Sequence, residues 1–147
     1  MSEIVSSNWL NNNLSNDKIV ILDCSWYMPG EKRRSKLEYK NEHIAGSYFF
    51  NIDRISDLNS KIPHMLPSLK DFQYKTKNFN IHDNSTIITY GKENILGASR
   101  AWWMFKYFGF QKIKVLNSNL LEWKKENKKL TNKTSKRYKS SYTFQYN

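Results

Sequence analysis

Hydrophobic runs alternate with amphipathic segments along the chain. Short apolar or β-branched runs at residues 19–24, 48–50, 86–90 and 112–116 predict strands, and the first is typical of a strand buried on both faces. Helical patterns lie between these runs and after the last one, up to residues 120–126. Because the connections are too long for hairpins, the pattern predicts an α/β domain with a mainly parallel sheet and helices on both faces.

Polar residues at the starts of the helical segments predict how the helices are capped. Ser6 or Ser7 precedes a helix whose apolar face includes Trp9, Leu10 and Leu14. Ser35 and Glu38 have the spacing of a capping box, and Ser68 precedes a third helix. A fourth helix is predicted over residues 97–108.

The length of 147 residues suits one domain with a single core. We expect this domain to span residues 1–127, followed by a basic linker or tail over residues 128–147. The formal net charge is +11, and the stretch from Lys124 to Lys139 holds eight basic residues and one acidic residue, which accounts for +7 of it. A solvated charged tail is the simpler interpretation, and a contact with an anion or a nucleic acid is the alternative.

Two classes of protein do not fit this sequence. No apolar run approaches the ~18 residues that a membrane-spanning helix needs, and the first residues lack the pattern of a signal peptide. Cys24 is the single cysteine, which excludes an internal disulfide and a metal site built from several cysteines. We therefore expect a cytoplasmic protein without membrane partner, metal or cofactor.

The segment from the strand at 86–90 to the helix at 97–108 is where an α/β domain usually carries its chemistry. Its loop contains no nucleophile, since it consists of Gly91, Lys92, Glu93, Asn94, Ile95 and Leu96. Cys24 lies at the end of an apolar strand, where we expect it to be buried as a small hydrophobic residue.

Five segments between residues 22 and 123 read LDCSWYMP, EYKNEHIAGSYFFNIDRISD, PHMLPS, ITYGKENILGASRAWWMFKYFGF and KVLNSNLLEW. In content and order they resemble the rhodanese-like sulfurtransferases, and within that family the amino-terminal domain of the two-domain thiosulfate and 3-mercaptopyruvate sulfurtransferases. The resemblance implies a rhodanese-like fold with about five parallel strands. It also implies that residues 128–147 are an interdomain linker, whose end YKSSYTFQYN wraps the first domain, and that a second rhodanese domain is the partner.

In that family only the second domain carries the cysteine that forms a persulfide. Gly91 occupies the equivalent position here, so the resemblance implies that this chain alone has no sulfurtransferase activity. Sulfur transfer needs a thiolate whose pKa is lowered by its loop, and a glycine cannot carry sulfur.

The resemblance also implies a cleft between the two domains, lined here by Trp26, Asp53 and His64. A His–Asp pair could handle a proton in that cleft, whereas a loop histidine that only bonds the backbone is the simpler alternative. Either 3-mercaptopyruvate or thiosulfate fits as the small anionic sulfur donor, with the histidine favouring the former. Arg33 and Arg34 could attract such anions at the cleft rim.

Two further expectations accompany this interpretation, and one other interpretation competes with it. Arg100 matches an arginine that precedes the double tryptophan in the family, and we expect it to form a structural ion pair and not a substrate contact. The exposed aromatic surface left by a missing second domain is expected to promote self-association. The competing interpretation is a stand-alone rhodanese-like module that binds an anion or a partner, with nucleic acid, otherwise not an expected partner, held by the basic tail.

Overall fold

The structure is a computed structural model and describes residues 2–147. Seven strands lie within these residues: β1 (Ile4–Val5), β2 (Ile19–Asp23), β3 (His43–Ile44), β4 (Tyr48–Phe49), β5 (Thr86–Tyr90), β6 (Ile113–Leu116) and β7 (Leu130–Thr131). The α-helices are α1 (Ser7–Asn12), α2 (Ser35–Asn41), α3 (Leu69–Lys75), α4 (Leu96–Tyr107) and α5 (Leu120–Lys125). None of the helices in the described part of the chain is long and apolar enough to cross a membrane.

Five strands form one parallel sheet in the order β1-β6-β5-β2-β4. At its centre β2 and β5 pair in register along their full length, from Ile19 opposite Thr86 to Asp23 opposite Tyr90. The predicted α/β class with a five-stranded parallel sheet is thereby confirmed.

Alternate residues of the central strands enter two separate cores. Val20, Leu22 and Ile87 pack into one with α3 and α4, whereas Ile21 and Ile88 pack into the other with α1 and α5. Because successive side chains of a strand point to opposite faces, a strand with a helix layer on each side must be apolar at nearly every position. This arrangement confirms helices on both faces.

The helix starts agree with the sequence at two of three predicted caps. The hydroxyl of Ser6 accepts from the Trp9 N–H and that of Ser68 accepts from the Asp71 N–H, so both serines are N-caps. The capping box at Ser35 is wrong, because Ser35 lies inside α2 and Glu38 is used elsewhere. Trp9 is also 38% exposed and does not share the buried face of Leu10.

Three of the four two-residue strands, β1, β3 and β7, escaped the sequence analysis. β1 pairs with β6 and supplies the fifth strand of the parallel sheet. β3 and β7 form a separate antiparallel pair, with His43 opposite Thr131. β4 was found because it lies in the apolar run at residues 48–50, whereas the other three lie in no longer apolar run, and two residues alone are too few to show a hydrophobic period.

Residues 128–147 lie along the domain and are not a free, solvated tail. Phe144 is 3% exposed and belongs to the core that contains Phe72 and Phe105. The Asn80 N–H donates to the carbonyl of Tyr138, and the Gln145 N–H donates to the carbonyl of Phe108. The division into a domain over 1–127 and a linker over 128–147 stays a prediction, but the linker contributes a buried ring to that domain.

Candidate functional site

Parallel pairing brings three loops to one edge of the sheet. β2, β4 and β5 are neighbours, and each strand ends at this edge with the loop that follows it. Trp26 follows β2, Asp53 follows β4 and Gly91 follows β5. Chemistry in open α/β folds is concentrated at this carboxyl edge.

The three residues predicted to line a cleft lie together. The Nε2 atom of His64 is 2.7 Å from Oδ1 of Asp53, and the indole N–H of Trp26 donates to the same Oδ1 at 3.0 Å. The rings of Trp26 and His64 meet edge to face with centroids 5.3 Å apart. The Asp53 side chain is 63% exposed and that of His64 is 31% exposed, so the group faces outward.

His64 is held in an uncommon backbone conformation. Its φ is +62°, in the left-handed region that side-chain-bearing residues seldom adopt. The Arg100 guanidinium donates to the carbonyl of His64, which fixes the loop from the side of α4. Arg100 therefore supports His64 through its backbone.

The expected ion pair of Arg100 is wrong. Within residues 2–147 no carboxylate lies within ion-pairing distance of its guanidinium, and its Nε is buried without a partner. Burial lowers the pKa of Arg100 from its ordinary value, because the charged form loses hydration. Arg100 also lines a cavity of ≈ 190 Å³, together with Trp26, Ile52, His64, Leu96 and Gly97.

The loop at residues 91–96 is folded tightly on itself. A Cβ added at Gly91 would collide with the backbone carbonyl oxygen of Asn94. The Asn94 side chain accepts from the Leu96 N–H and donates to the carbonyl of Trp26, and the Lys92 N–H donates to the Ser25 hydroxyl. No side chain fits at Gly91 unless this loop moves.

Cys24 is buried against the start of α4. A Cβ added at Gly97 would overlap the carbonyl oxygen of Cys24, so only glycine permits this approach of helix to strand. Cys24 is 0% exposed. Burial, followed by the nearby charge of Asp23, raises the pKa of its thiol well above the ordinary value, so the thiol stays protonated at neutral pH.

Arg33 is tied into an ion-pair network around Glu38. Its guanidinium donates to both Glu38 carboxylate oxygens, at 2.7 and 3.1 Å, and also to Glu93 of the loop. Lys92 Nζ lies 3.2 Å from Glu38, and the Tyr27 hydroxyl donates to Glu38 at 2.9 Å. The Glu38 and Glu93 carboxylates neutralise most of the positive charge of Arg33, so little of it remains to attract an anionic ligand.

Glu38 has a lowered pKa although it is partly buried. Burial by itself acts to raise its pKa, but the hydrogen bonds from Arg33, Tyr27 and Lys92 outweigh it. Burial and the Glu38 carboxylate in turn raise the pKa of the Tyr27 hydroxyl. Arg34 has no carboxylate partner among the described residues and is exposed, so an anion-attracting role at the rim stays a prediction for it.

The roles of several residues that shape this site were not predicted from the sequence. Ser25 and Asn94 hold the loop, Glu38 joins it to α2, and Arg100 holds His64. Asparagine two residues before a helix commonly forms a turn by accepting a hydrogen bond from a backbone N–H, so the role of Asn94 could have been predicted from the local sequence. The other three act across long sequence separations that no local pattern records. In residues 2–147 no three His, Cys, Asp or Glu side chains cluster as a metal site would require.

A protein-family model and known sulfurtransferase sequences both match this chain. Residues 6–126 match the model of the rhodanese-like domain. The chain is 40% identical over 121 residues to thiosulfate/3-mercaptopyruvate sulfurtransferase 1, mitochondrial, of Arabidopsis thaliana, covering 82% of the chain and 32% of that protein. It is 34% identical over 123 residues to the 3-mercaptopyruvate sulfurtransferase of Escherichia coli K12, covering 83% and 44%.

Solved structures give the same result. The crystal structure of SseA from Escherichia coli superposes with a TM-score of 0.92 at 30% identity, covering 100% of this chain and 56% of SseA. Among known sequences, the thiosulfate sulfurtransferase of Rattus norvegicus is 33% identical over 139 residues, and the chain covers 46% of its length. The chain thus spans from about a third to just under half the length of these curated relatives.

Proposed function

The chain belongs to the rhodanese-like family, and from that membership we propose that it is the catalytically silent domain of a two-domain sulfurtransferase. The observation that carries the proposal is Gly91, which stands after β5 where sulfur chemistry needs a thiolate and which has no room for a side chain. The only thiol of the chain, Cys24, is buried and protonated. The coverage of its relatives fits one domain of such a protein.

The role of this domain is to present Trp26, Asp53 and His64 to a persulfide cysteine on the second domain. Asp53 bonds Nε2 of His64, and no protein group in residues 2–147 bonds Nδ1. Nδ1 is then the ring nitrogen that can exchange a proton with a reactant, while Asp53 fixes the orientation of the ring. A second domain lying over the exposed pair would exclude water and strengthen both interactions.

We propose 3-mercaptopyruvate as the sulfur donor. Attack of the cysteine thiolate on the donor sulfur breaks its carbon–sulfur bond, and the carbon leaves as an enolate that must gain a proton to become pyruvate. A protonated His64 can supply that proton. Thiosulfate would release sulfite, which leaves as an anion and needs no proton. A histidine at this place therefore assists sulfur transfer from 3-mercaptopyruvate more than transfer from thiosulfate.

The first test is the purified chain itself, assayed with 3-mercaptopyruvate or thiosulfate as donor and cyanide as acceptor. We expect pyruvate and thiocyanate formation at the level of the blank, with the Escherichia coli 3-mercaptopyruvate sulfurtransferase as positive control. Turnover that disappears in Cys24→Ser would overturn the assignment of a silent domain.

The second test uses the polypeptide expressed from the complete reading frame that encodes this chain. We expect His64→Ala to lower turnover with 3-mercaptopyruvate by roughly a hundredfold and turnover with thiosulfate by much less. His82→Ala is the matched control, because His82 bonds Ser141 and Asn80 ahead of the amino end of β5. A reading frame that stops at Asn147 would favour the stand-alone module instead.

A further inference from the structure

A basic groove lies on the domain apart from the cleft of Trp26, Asp53 and His64. It has a volume of ≈ 500 Å³, and α2, the segment after β4, α3 and residues 134–137 contribute its walls. Six of its lining residues are lysine or arginine, and none is acidic. We call this surface the basic groove.

Most cations of the basic groove form no ion pair with a carboxylate. Lys75 pairs with Asp71 at 2.8 Å, but five others form no ion pair with any described residue, namely Lys36, Lys40, Arg54, Lys77 and Arg137. By contrast, Lys124, Lys125 and Lys128 at the start of the basic segment are each paired with a glutamate, whereas Arg137 of the same segment is unpaired and faces the groove. Folding therefore concentrates uncompensated charge in a groove built from distant parts of the sequence.

Aromatic rings lie among these cations. Tyr74 is 64% exposed, and Lys77 Nζ lies 3.8 Å from the centroid of its ring. Tyr39 and Phe49 also line the groove, with ring centroids 5.5 Å apart. An exposed ring beside a lysine offers a face for a base and a charge for the adjoining phosphate.

Two neighbouring hollows share lining residues with the groove. One neighbouring hollow shares Lys36, Lys40 and Asn51 with it and leads to Arg34 and to the Asp53 carboxylate. The other shares Tyr48 and Ser135 and adds Lys129, Lys133 and Lys136. The positive surface is thus a track, which suits an extended polyanion better than a small anion.

We propose that the basic groove binds single-stranded nucleic acid. Unpaired cations along a track would hold the phosphates, and Tyr74 would stack on a base. An acidic protein segment would use the cations but gain nothing from an exposed ring. The proposal does not depend on sulfur transfer, so its failure would leave the silent-domain assignment untouched.

The test measures binding of the whole 147-residue chain to fluorescent oligonucleotides of about 12 nucleotides, oligo(U) RNA and oligo(dT) DNA, by anisotropy. If up to five phosphates are neutralised, the slope of log K against log salt approaches −3.5, or about a hundredfold loss of affinity between 50 and 200 mM salt. RNA and DNA results together show which sugar is preferred.

Matched variants separate the groove from net charge. We expect Lys77→Ala with Arg137→Ala to flatten the salt slope by about 1.4. Lys18→Ala with Lys125→Ala removes the same charge outside the groove and is expected to leave the slope near that of the unsubstituted chain. Equal slopes for the two double variants would overturn the proposal.

The aromatic part is tested at Tyr74. We expect Tyr74→Ala to weaken binding about tenfold and Tyr74→Phe to leave it unchanged, because stacking needs only the ring. Duplex RNA or polyglutamate bound as tightly as oligo(U) would overturn the proposal, the latter in favour of an acidic protein partner. No binding at 50 mM salt would overturn it outright.

Discussion

Asp53 receives two hydrogen bonds on one carboxylate oxygen, one from His64 and one from Trp26, at 2.7 and 3.0 Å. Asp53 and His64 lie in the long connection between β4 and α3, and Trp26 lies in the loop after β2, so the parallel pairing of β2 with β4 brings the two loops together. Trp26 therefore orients the carboxylate that in turn orients His64. The arrangement has the form of an imidazole held by a carboxylate, as general acid–base catalysis requires.

Asp53→Ala should be detectable at Trp26 without unfolding the chain. The exposed carboxylate contributes little to stability, so we expect a loss of less than about 1 kcal/mol. The indole N–H resonance of Trp26 should shift because it loses its acceptor, while the other four tryptophan resonances stay in place. Asp57→Ala, which removes an acceptor of the Asn59 N–H in the same loop, is the control. An unshifted Trp26 indole N–H resonance would show that Trp26 does not donate to Asp53.

Glu38→Gln should lower stability in a pH-dependent way. The folded pKa of Glu38 lies below its ordinary value, so the stability it contributes is complete above the unfolded pKa and is lost as pH falls through the folded pKa. We expect the variant to lose about 1–3 kcal/mol of unfolding free energy at pH 7, with the difference shrinking below about pH 4.3.

Urea unfolding at several pH values measures this effect. Glu122→Gln is the control, because its carboxylate is 53% exposed and pairs only with Lys125, so we expect a change below about 0.5 kcal/mol. A difference between Glu38→Gln and the unsubstituted chain that stays constant down to pH 3 would show that lost packing, not charge, is responsible.

Gly91→Cys should not create a sulfurtransferase. The new Cβ would meet the Asn94 carbonyl, so the loop must open before a thiol can be accommodated. We expect a cost of about 1–3 kcal/mol, measured by urea unfolding, and no thiocyanate formation above the blank. Gly91→Ala separates the steric cost from the effect of the thiol. Turnover by Gly91→Cys would mean that the loop retains a competent anion cradle.

Phe144→Ala should destabilise the domain although Phe144 lies in the predicted linker. Its ring packs 5.0 Å from that of Phe72, and truncation would leave a cavity in the core, for which we expect a loss of about 3–5 kcal/mol. Tyr146→Ala, two residues on and 61% exposed, should cost less than about 1 kcal/mol. Equal losses for the two variants in urea unfolding would contradict the packing of this segment.

The sequence by itself determined the fold class and the missing nucleophile. Buried parallel strands such as β2 must be apolar on both faces, so their composition alone identifies them. Gly91 and the single Cys24 are plain in the sequence, and a glycine cannot act as a nucleophile in any conformation. The resemblance of five segments also directed attention to Trp26, Asp53 and His64.

Only the tertiary structure decided which polar side chains meet. The bonds from His64 to Asp53, from Arg33 to Glu93 and from Arg100 to the His64 carbonyl join residues 11, 60 and 36 positions apart, so no local period records them. The resemblance placed Phe144 in an interdomain linker but did not show that its ring is buried, and only the fold shows that the ring fills a space in the core. The charge of the chain could be counted from its sequence, but its concentration around Lys77 and Arg137 required the fold, since folding decides which cations find a carboxylate.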